Sequence, residues 1–180
     1  MKPIQSFVAG TDEGPYTVQC HPYDTKLAAV FEEVKRLAQD AAGPVTVEHV
    51  GSTSIPGVGG RNALDVAIPI EESRQPAVRS ALYQIGFEDS PFPHYLPLLV
   101  GRLAYQDTEY PILLYVVSPE SKVYQGWIEF RDHMRSHAAD AEAYDAVKRQ
   151  SLAAGNVDGE RYQDAKTPFL AGISAKLRRG

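Results

Sequence analysis

The chain has 180 residues, of which 43% are hydrophobic and 23% are charged, values that are ordinary for a globular domain. Its formal net charge of −5 argues against broad nucleic-acid binding, which needs a basic surface, but leaves room for a small anion site. A single cysteine excludes a disulfide framework, and no apolar stretch reaches the roughly 20 residues that a membrane span requires. We expect a single cytoplasmic domain over residues 1–180.

The first two thirds of the chain alternate between helical and strand patterns. Residues 1–24 contain scattered proline and glycine and are expected to be irregular. Apolar side chains at helical spacing predict a helix over 25–40. The pattern then predicts a strand over 45–50, a glycine- and serine-rich loop or short helix over 51–60, a strand over 64–70 and a helix over 73–86. Two further strands are predicted over 98–105 and 111–117, joined by a hairpin turn at 106–109.

From residue 121 to residue 178 the apolar spacing is helical and predicts a set of C-terminal helices. Pro168 is expected to kink or restart the last of them, with Thr167 as its N-cap. The whole pattern predicts an α+β fold: a small mixed β-sheet flanked by helices, followed by a helical C-terminal third.

The segment from Gly51 to Ser54 is the most informative part of the chain for chemistry. It follows a predicted strand and offers hydroxyl and backbone N–H groups in a Gly-Ser-Thr-Ser run, which suits a bound phosphate. Asp65 lies on the next strand, where a carboxylate could hold Mg²⁺. From the residues alone, an ordinary capped turn and a polar strand end explain these two features equally well.

Four ordered motifs resemble the GrpB family, a branch of the nucleotidyltransferase superfamily. The central motif matches at Glu48, His49, Gly51, Ser52, Thr53, Ser54, Pro56, Gly57 and Asp65, with Arg61 where the family usually has lysine. The other motifs are Pro22–Asp24, Phe130–Arg135 with Ala143–Lys148, and Tyr162–Phe169. The resemblance covers about residues 20 to 175.

This resemblance implies a nucleotidyltransferase-like fold in which Gly51 and Ser52 hold a triphosphate and Asp65 acts as the catalytic, metal-binding acid. Mg²⁺ is the cofactor it implies. Family members often carry a second acid two residues later, where this chain has Ala67. The strand over 111–117 carries no carboxylate, and Glu48, on the face opposite His49, is the candidate to supplement Asp65.

Basic residues of the C-terminal helices are the remaining candidates for an anion site. Arg131 and Arg135 are four residues apart and share a helix face, and Lys148 and Lys166 lie on the next two helices. If these helices pack over the sheet, the four cations face Ser52 and Asp65. The alternative is a set of solvated surface cations.

Two functions remain open at this point. One is a protein that binds a nucleotide or another phosphorylated or acidic small molecule without turnover, because Ala67 replaces the second metal carboxylate. The other is an active, metal-dependent nucleotidyltransferase with an unknown acceptor. No surface signature in the sequence identifies a protein partner.

Overall fold

The computed structural model describes residues 2–7, 18–91, 96–157 and 159–178. Within these ranges the strands are β1 (Glu48–Val50), β2 (Leu64–Pro69), β3 (Glu88–Asp89), β4 (Leu98–Tyr105) and β5 (Thr108–Val117). The α-helices are α1 (Leu27–Ala42), α2 (Gln75–Ile85), α3 (Lys122–Ser136), α4 (Ala138–Ala153) and α5 (Gly159–Leu177), and short 3₁₀ turns lie at Ser52–Ser54 and Glu72–Arg74. None of the described helices is long and apolar enough to cross a membrane.

The described strands form one mixed sheet in the order β1-β2-β5-β4-β3. The central pair, β2 and β5, is parallel and places Asp65 beside Leu113, whereas the other neighbouring strands are antiparallel. Because side chains alternate between the faces of a strand, this register decides which residues meet on each side of the sheet.

One face of the sheet holds the main hydrophobic core. Val66, Leu114 and their neighbours on the same face pack against buried residues of α1 and α2. In α1 these are Leu27, Val30 and Val34, whose spacing of three and four residues puts them on one stripe of the helix. The first helix therefore fixes the sheet from one side and leaves its other face for the C-terminal helices.

The opposite face carries Asp65 and Ala67 of β2, paired with Leu113 and Tyr115 of β5. Trp127 of α3 packs against Tyr115 there, with ring centroids 4.8 Å apart. A second apolar cluster joins α3, α4 and α5 to the loop after the first 3₁₀ turn, through Ile55, Val58, Met134, Ala141, Tyr144 and Ile173. This packing brings the C-terminal helices over the strand that bears Asp65.

Several predicted boundaries need correction. The strand predicted from residue 45 begins at Glu48, and the hairpin turn occupies only 106–107, because the polar residues Thr108 and Glu109 already pair with β4. The two-residue strand β3 was not predicted from the sequence. The last helix does not restart at Pro168: α5 runs through this residue, which is exposed together with Asp164, so solvent can satisfy the Asp164 carbonyl that proline leaves without a donor.

Candidate functional site

A cavity of about 440 Å³ lies between the Asp65 face of the sheet and the C-terminal helices. Its wall comes from β2 and β5, from the turn after β1, and from α3, α4 and α5. The structure brings six of the residues predicted to form a site together around this cavity: Gly51, Ser52, Arg61, Asp65, Lys148 and Lys166.

Gly51 is in van der Waals contact with the carboxylate of Asp65. The register of β1 and β2 puts Val50 beside Asp65, and the chain then turns at Gly51 with φ +70°. A Cβ atom on Gly51 would lie 2.2 Å from Asp65 Oδ2. Glycine is therefore required here both by the backbone conformation and by the closeness of the carboxylate.

Among the described residues that line the cavity, Asp65 is the only carboxylate. It keeps part of its surface open to the cavity. Burial nevertheless raises its pKa to about 6, while the positive charges of Arg61 and Lys166 act in the opposite direction. Asp65 is consequently ionised at neutral pH, but its pKa is closer to neutrality than that of a carboxylate in water.

Lys148 and Lys166 bring two buried ammonium groups to the cavity from neighbouring helices. Lys148 is 1% exposed and donates a hydrogen bond to the carbonyl of Gly59. Lys166 is 8% exposed and makes no hydrogen bond or ion pair with the described residues. Burial lowers the pKa of each lysine to about 8, and repulsion from Arg61 and Lys148 adds to the effect at Lys166.

The glycine-rich loop before Arg61 is fixed from two sides. Asp145 of α4 accepts a hydrogen bond of 2.9 Å from the N–H of Gly59, and Arg149 binds the same carboxylate at 2.8 Å. On the other side His21 and Gly60 exchange two backbone hydrogen bonds of 2.7 and 2.9 Å. The loop that carries Gly59 and Gly60 is thus clamped between α4 and the chain before α1.

Arg131 and Arg135, which were expected to bind the anion, contact other groups instead. Arg131 forms a 2.7 Å ion pair with Glu48 and donates to the carbonyl of His49 at 3.1 Å. Arg135 donates to the carbonyl of Ser54 at 2.8 Å. Neither arginine lines the cavity. Arg131 thus connects α3 to β1, and Arg135 connects α3 to the 3₁₀ turn that follows β1.

The side chains of three polar residues of the central motif are buried in the protein and do not line the cavity. Thr53 and Ser54 are each 3% exposed, and Ser54 Oγ donates to the Gly51 carbonyl at 2.6 Å. His49 stacks on Phe31, and its Nε2 lies 3.0 Å from Thr53 Oγ1. Burial, reinforced by Arg135 and Arg131, lowers the pKa of His49 to about 3, so this side chain is neutral at physiological pH. Of the Gly-Ser-Thr-Ser run, Gly51 and Ser52 face the cavity.

The residues around Asp65 do not fit a magnesium site. Mg²⁺ prefers an octahedron of oxygen ligands, commonly including one or two carboxylates. Here the neighbours of Asp65 on the same face are Ala67, Leu113 and Tyr115. Glu48 lies beside Ala67 in the register but is bound to Arg131, and the described residues contain no group of three or more potential metal ligands. With two buried lysines also present, the local charge disfavours a divalent cation.

Sequence reasoning missed the aromatic part of the cavity. Each of the last two helices carries a tyrosine four residues before its buried lysine. The Lys148 ammonium lies 4.8 Å from the ring centre of Tyr144, and that of Lys166 lies 4.4 Å from the ring centre of Tyr162. Such contacts stabilise a partly desolvated cation. The repeated Tyr-x-x-x-Lys spacing was visible in the sequence and is the signal that could have revealed these pairs.

Comparison with known sequences gives consistent matches over most of the chain. The profile of the GrpB family, described as "GrpB protein", matches residues 17–176. A UPF0157 protein of Streptomyces coelicolor is 28% identical over 160 residues, which cover 86% of this chain and 81% of that protein. A UPF0157 protein of Halalkalibacterium halodurans is 24% identical over 158 residues, 84% of this chain and 77% of that protein.

Comparison with solved structures identifies the fold. The crystal structure of conserved protein GrpB from Enterococcus faecalis superposes with a TM-score of 0.70 at 20% identity, covering 88% of this chain and 96% of that one. The structure of the GLD-2/RNP-8 complex gives a TM-score of 0.56 at 12% identity, covering 79% of this chain and 50% of that one. The structure of Cid1 poly(U) polymerase with MgGTP bound gives a TM-score of 0.51 at 11% identity, covering 71% of this chain and 43% of that one. The expected nucleotidyltransferase-like α+β fold is confirmed.

Proposed function

The chain belongs to the GrpB protein family, and from that premise we propose that its cavity binds a nucleotide or another phosphorylated or acidic small molecule without turning it over. The observation that carries this proposal is the pair of buried lysines, Lys148 and Lys166, facing a single carboxylate. Buried cations without enough counter-charge are costly, and a bound anion supplies the missing charge.

The geometry also explains how an anion would be held. Lys166 and Arg61 have no hydrogen bond or ion pair within the described ranges, so their donors are available to a ligand. Ser52 adds a hydroxyl at the turn where the backbone of Gly51 approaches Asp65. Charge-assisted hydrogen bonds from such groups are roughly twice as strong as neutral ones.

The alternative is an active, metal-dependent nucleotidyltransferase. It is favoured by the fold, which this chain shares with Cid1 poly(U) polymerase, a protein solved with MgGTP bound. Against it stand Ala67 and the apolar partners of Asp65 on β5, since phosphoryl chemistry of this kind depends on carboxylates that hold the metal. The two functions make opposite predictions for Asp65.

The first test measures the melting temperature with each ribonucleoside mono-, di- and triphosphate, once with EDTA and once with Mg²⁺. A ligand that binds only the folded state raises the melting temperature by mass action. We expect stabilisation in EDTA by at least one nucleotide, and an equal or larger shift in Asp65→Asn, because this substitution removes a negative charge from the cavity. Asp40→Asn on α1, behind the sheet, serves as the control for charge removal at a distance.

Two results would contradict the proposal. Stabilisation that requires Mg²⁺ and disappears in Asp65→Asn would favour the metal-dependent enzyme. The absence of any shift across the panel would show that the fold is retained here without a nucleotide role.

A further inference from the structure

We propose that the ligand of this cavity is a phosphomonoester dianion carried on an aromatic ring, bound without a divalent metal, rather than a triphosphate. This inference rests on the proposed function and specifies the ligand class. It follows from three features: the charge of the cavity, two hydrogen-bond donors beside Gly60, and a cluster of aromatic side chains that lines the same cavity.

The first feature is the balance of charge. Within the described ranges the cavity is lined by Arg61, Lys148 and Lys166 against the single carboxylate of Asp65, and Lys122, the first residue of α3, is exposed at its rim. Asp145 does not alter this balance, because its carboxylate is paired with Arg149. The two net positive charges that line the cavity match a phosphomonoester, whose charge at neutral pH is about −1.5 to −2.

A triphosphate carries more negative charge than these groups can neutralise. Proteins that bind triphosphates commonly place Mg²⁺ between the phosphates and hold it with carboxylates. The part of the chain that the structure describes has no group of three or more metal ligands, and Asp65 faces Leu113 rather than a second acid. The extra phosphates would therefore lie in the cavity without counter-charge.

The second feature is a pair of hydrogen-bond donors, both lining the cavity, that lie beside Gly60. A Cβ atom added to Gly60 would lie 3.0 Å from Ser52 Oγ and 4.0 Å from Lys148 Nζ. The hydroxyl and the ammonium thus both lie on the side of Gly60 where any other residue would carry its Cβ. We name Ser52, Gly60 and Lys148 the phosphate cradle. Lys166 is close enough to Lys148 for their charges to repel and can contribute a further donor to the same anion.

The third feature is the aromatic cluster formed by Tyr115 of β5 and Trp127 of α3, which both line the cavity. Tyr115 lies two residues beyond Leu113, the partner of Asp65, on the same face of the sheet. That step corresponds to about 7 Å along the strand. Because Ser52, Lys148, Tyr115 and Trp127 all line the same cavity, an aromatic ring joined to a phosphate by a linker can contact this cluster while its phosphate is bound by the cradle.

The experiment is isothermal titration calorimetry in EDTA with the intact protein. The probes are the four ribonucleoside 5′-monophosphates, the matching triphosphates with and without Mg²⁺, inorganic phosphate, and phenyl phosphate as an aromatic phosphomonoester without ribose. We expect at least one monophosphate or phenyl phosphate to bind about tenfold or more tightly than both the triphosphates and inorganic phosphate. The ranking of monophosphates against phenyl phosphate distinguishes a nucleoside ligand from a simpler aryl phosphate.

The matched variants are Lys166→Met and Lys176→Met, which make the same change on the same helix. Lys176 lies outside the cavity and pairs with Asp140. Lys166→Met should weaken the preferred phosphomonoester by about tenfold or more, whereas Lys176→Met should leave its affinity unchanged.

The outcomes separate this inference from the function on which it rests. Tighter binding of a triphosphate, or inorganic phosphate binding as well as every phosphomonoester, overturns the inference and leaves anion binding intact. Equal loss in both lysine variants also overturns it. If no phosphate compound binds, both the inference and the nucleotide-binding function are wrong.

Discussion

At the scale of single residues, Gly60 determines whether the phosphate cradle is open. Its backbone conformation is one that any residue can adopt, and its N–H and carbonyl are both bonded to His21. The absence of a side chain therefore matters for the space between Ser52 and Lys148 rather than for the fold. This separates Gly60 from its neighbour Gly59, where a Cβ would lie 2.5 Å from the His21 carbonyl.

We expect Gly60→Ala to lose affinity for the preferred phosphomonoester by about tenfold or more while changing the free energy of unfolding by less than about 1 kcal/mol. The added methyl occupies the cradle, and Ser52 can rotate to relieve the 3.0 Å contact. Calorimetric titration measures the first quantity and urea unfolding the second.

The control is Gly172→Ala, an exposed position inside α5 where an added Cβ meets nothing within 4 Å. This change should stabilise the protein by about 0.5–1 kcal/mol, because alanine favours the helix, and should leave ligand affinity unchanged. Unaltered affinity in Gly60→Ala would show that the cradle is not the phosphate site.

The sequence predicted part of this site because the relevant residues stand in recognisable patterns. Gly51, Ser52 and Asp65 follow the strand–turn–strand motif, and the two lysines follow helical spacing. Arg131 and Arg135 share their predicted helix face, but spacing does not say what that face meets. In the structure it meets the Glu48 carboxylate and backbone carbonyls. Such partners depend on how α3 is rotated against β1, which single-sequence patterns do not contain.

At the scale of secondary-structure elements, Arg131 is the main polar connection between α3 and the edge strand β1. Its side chain is 11% exposed, and the Glu48 side chain is 30% exposed. Burial of the pair is incomplete, so its loss should cost less than that of a fully buried ion pair, but the His49 carbonyl would also lose a donor.

Arg131→Met should therefore destabilise the protein by about 1–3 kcal/mol while changing phosphomonoester affinity by less than about twofold. Glu48→Gln keeps an oxygen that can accept the Arg131 hydrogen bond and should cost less. Urea unfolding of the two variants, with calorimetric titration of each, measures both effects. A large loss of affinity in a stably folded Arg131→Met protein would place this arginine in the ligand site, as the sequence first suggested.

The elements themselves were predictable where local signals are strong. The apolar run in 98–105 and the helical stripe in α1 predicted elements close to the observed ones. The two-residue β3 carries too little periodicity to be detected and forms because β4 offers an edge to pair with. Pro168 is normally a reason to end a helix, but the tertiary contacts of Tyr162 and Ile173 on either side keep α5 continuous.

At the scale of the whole molecule, an acidic protein concentrates positive charge in one cavity. The net charge of −5 is set by the surface, whereas the cavity holds Arg61 and two lysines whose pKa is lowered to about 8. The charged groups that act on them are Arg61, Asp65, Asp145 and Arg149, together with the titratable thiol of Cys20, whose pKa is raised by burial. The affinity for an anion should therefore depend on pH just above neutrality.

We expect phosphomonoester affinity to fall about tenfold or more as the pH rises from about 7.5 to about 9.5. Lys148 and Lys166 are protonated below about pH 8 and lose their charge above it, because burial lowers the pKa of each to about 8. Asp65, with a pKa of about 6, is already ionised at pH 7, and a phosphomonoester is already a dianion there, so neither contributes to the fall.

Calorimetric titration across this range measures the effect, and Lys166→Met should show a shallower fall because one of the two titrating lysines is gone. An affinity that stays constant up to pH 9.5 in the unmodified protein would show that the lysines do not bind the anion.

The hydrogen bonds that hold the loop at Gly59 and Gly60 determine when, during synthesis of the chain, this loop can reach its final position. The N–H of Gly59 finds its acceptor on Asp145, 86 positions further along the chain, and Lys148 returns to the carbonyl of the same glycine. During synthesis the sheet strands β1 and β2 leave the ribosome long before α4 does. A nascent chain can therefore hold the whole Gly-Ser motif and Asp65 and still lack the proposed anion site, because the residues that close it, on α4 and α5, are made later.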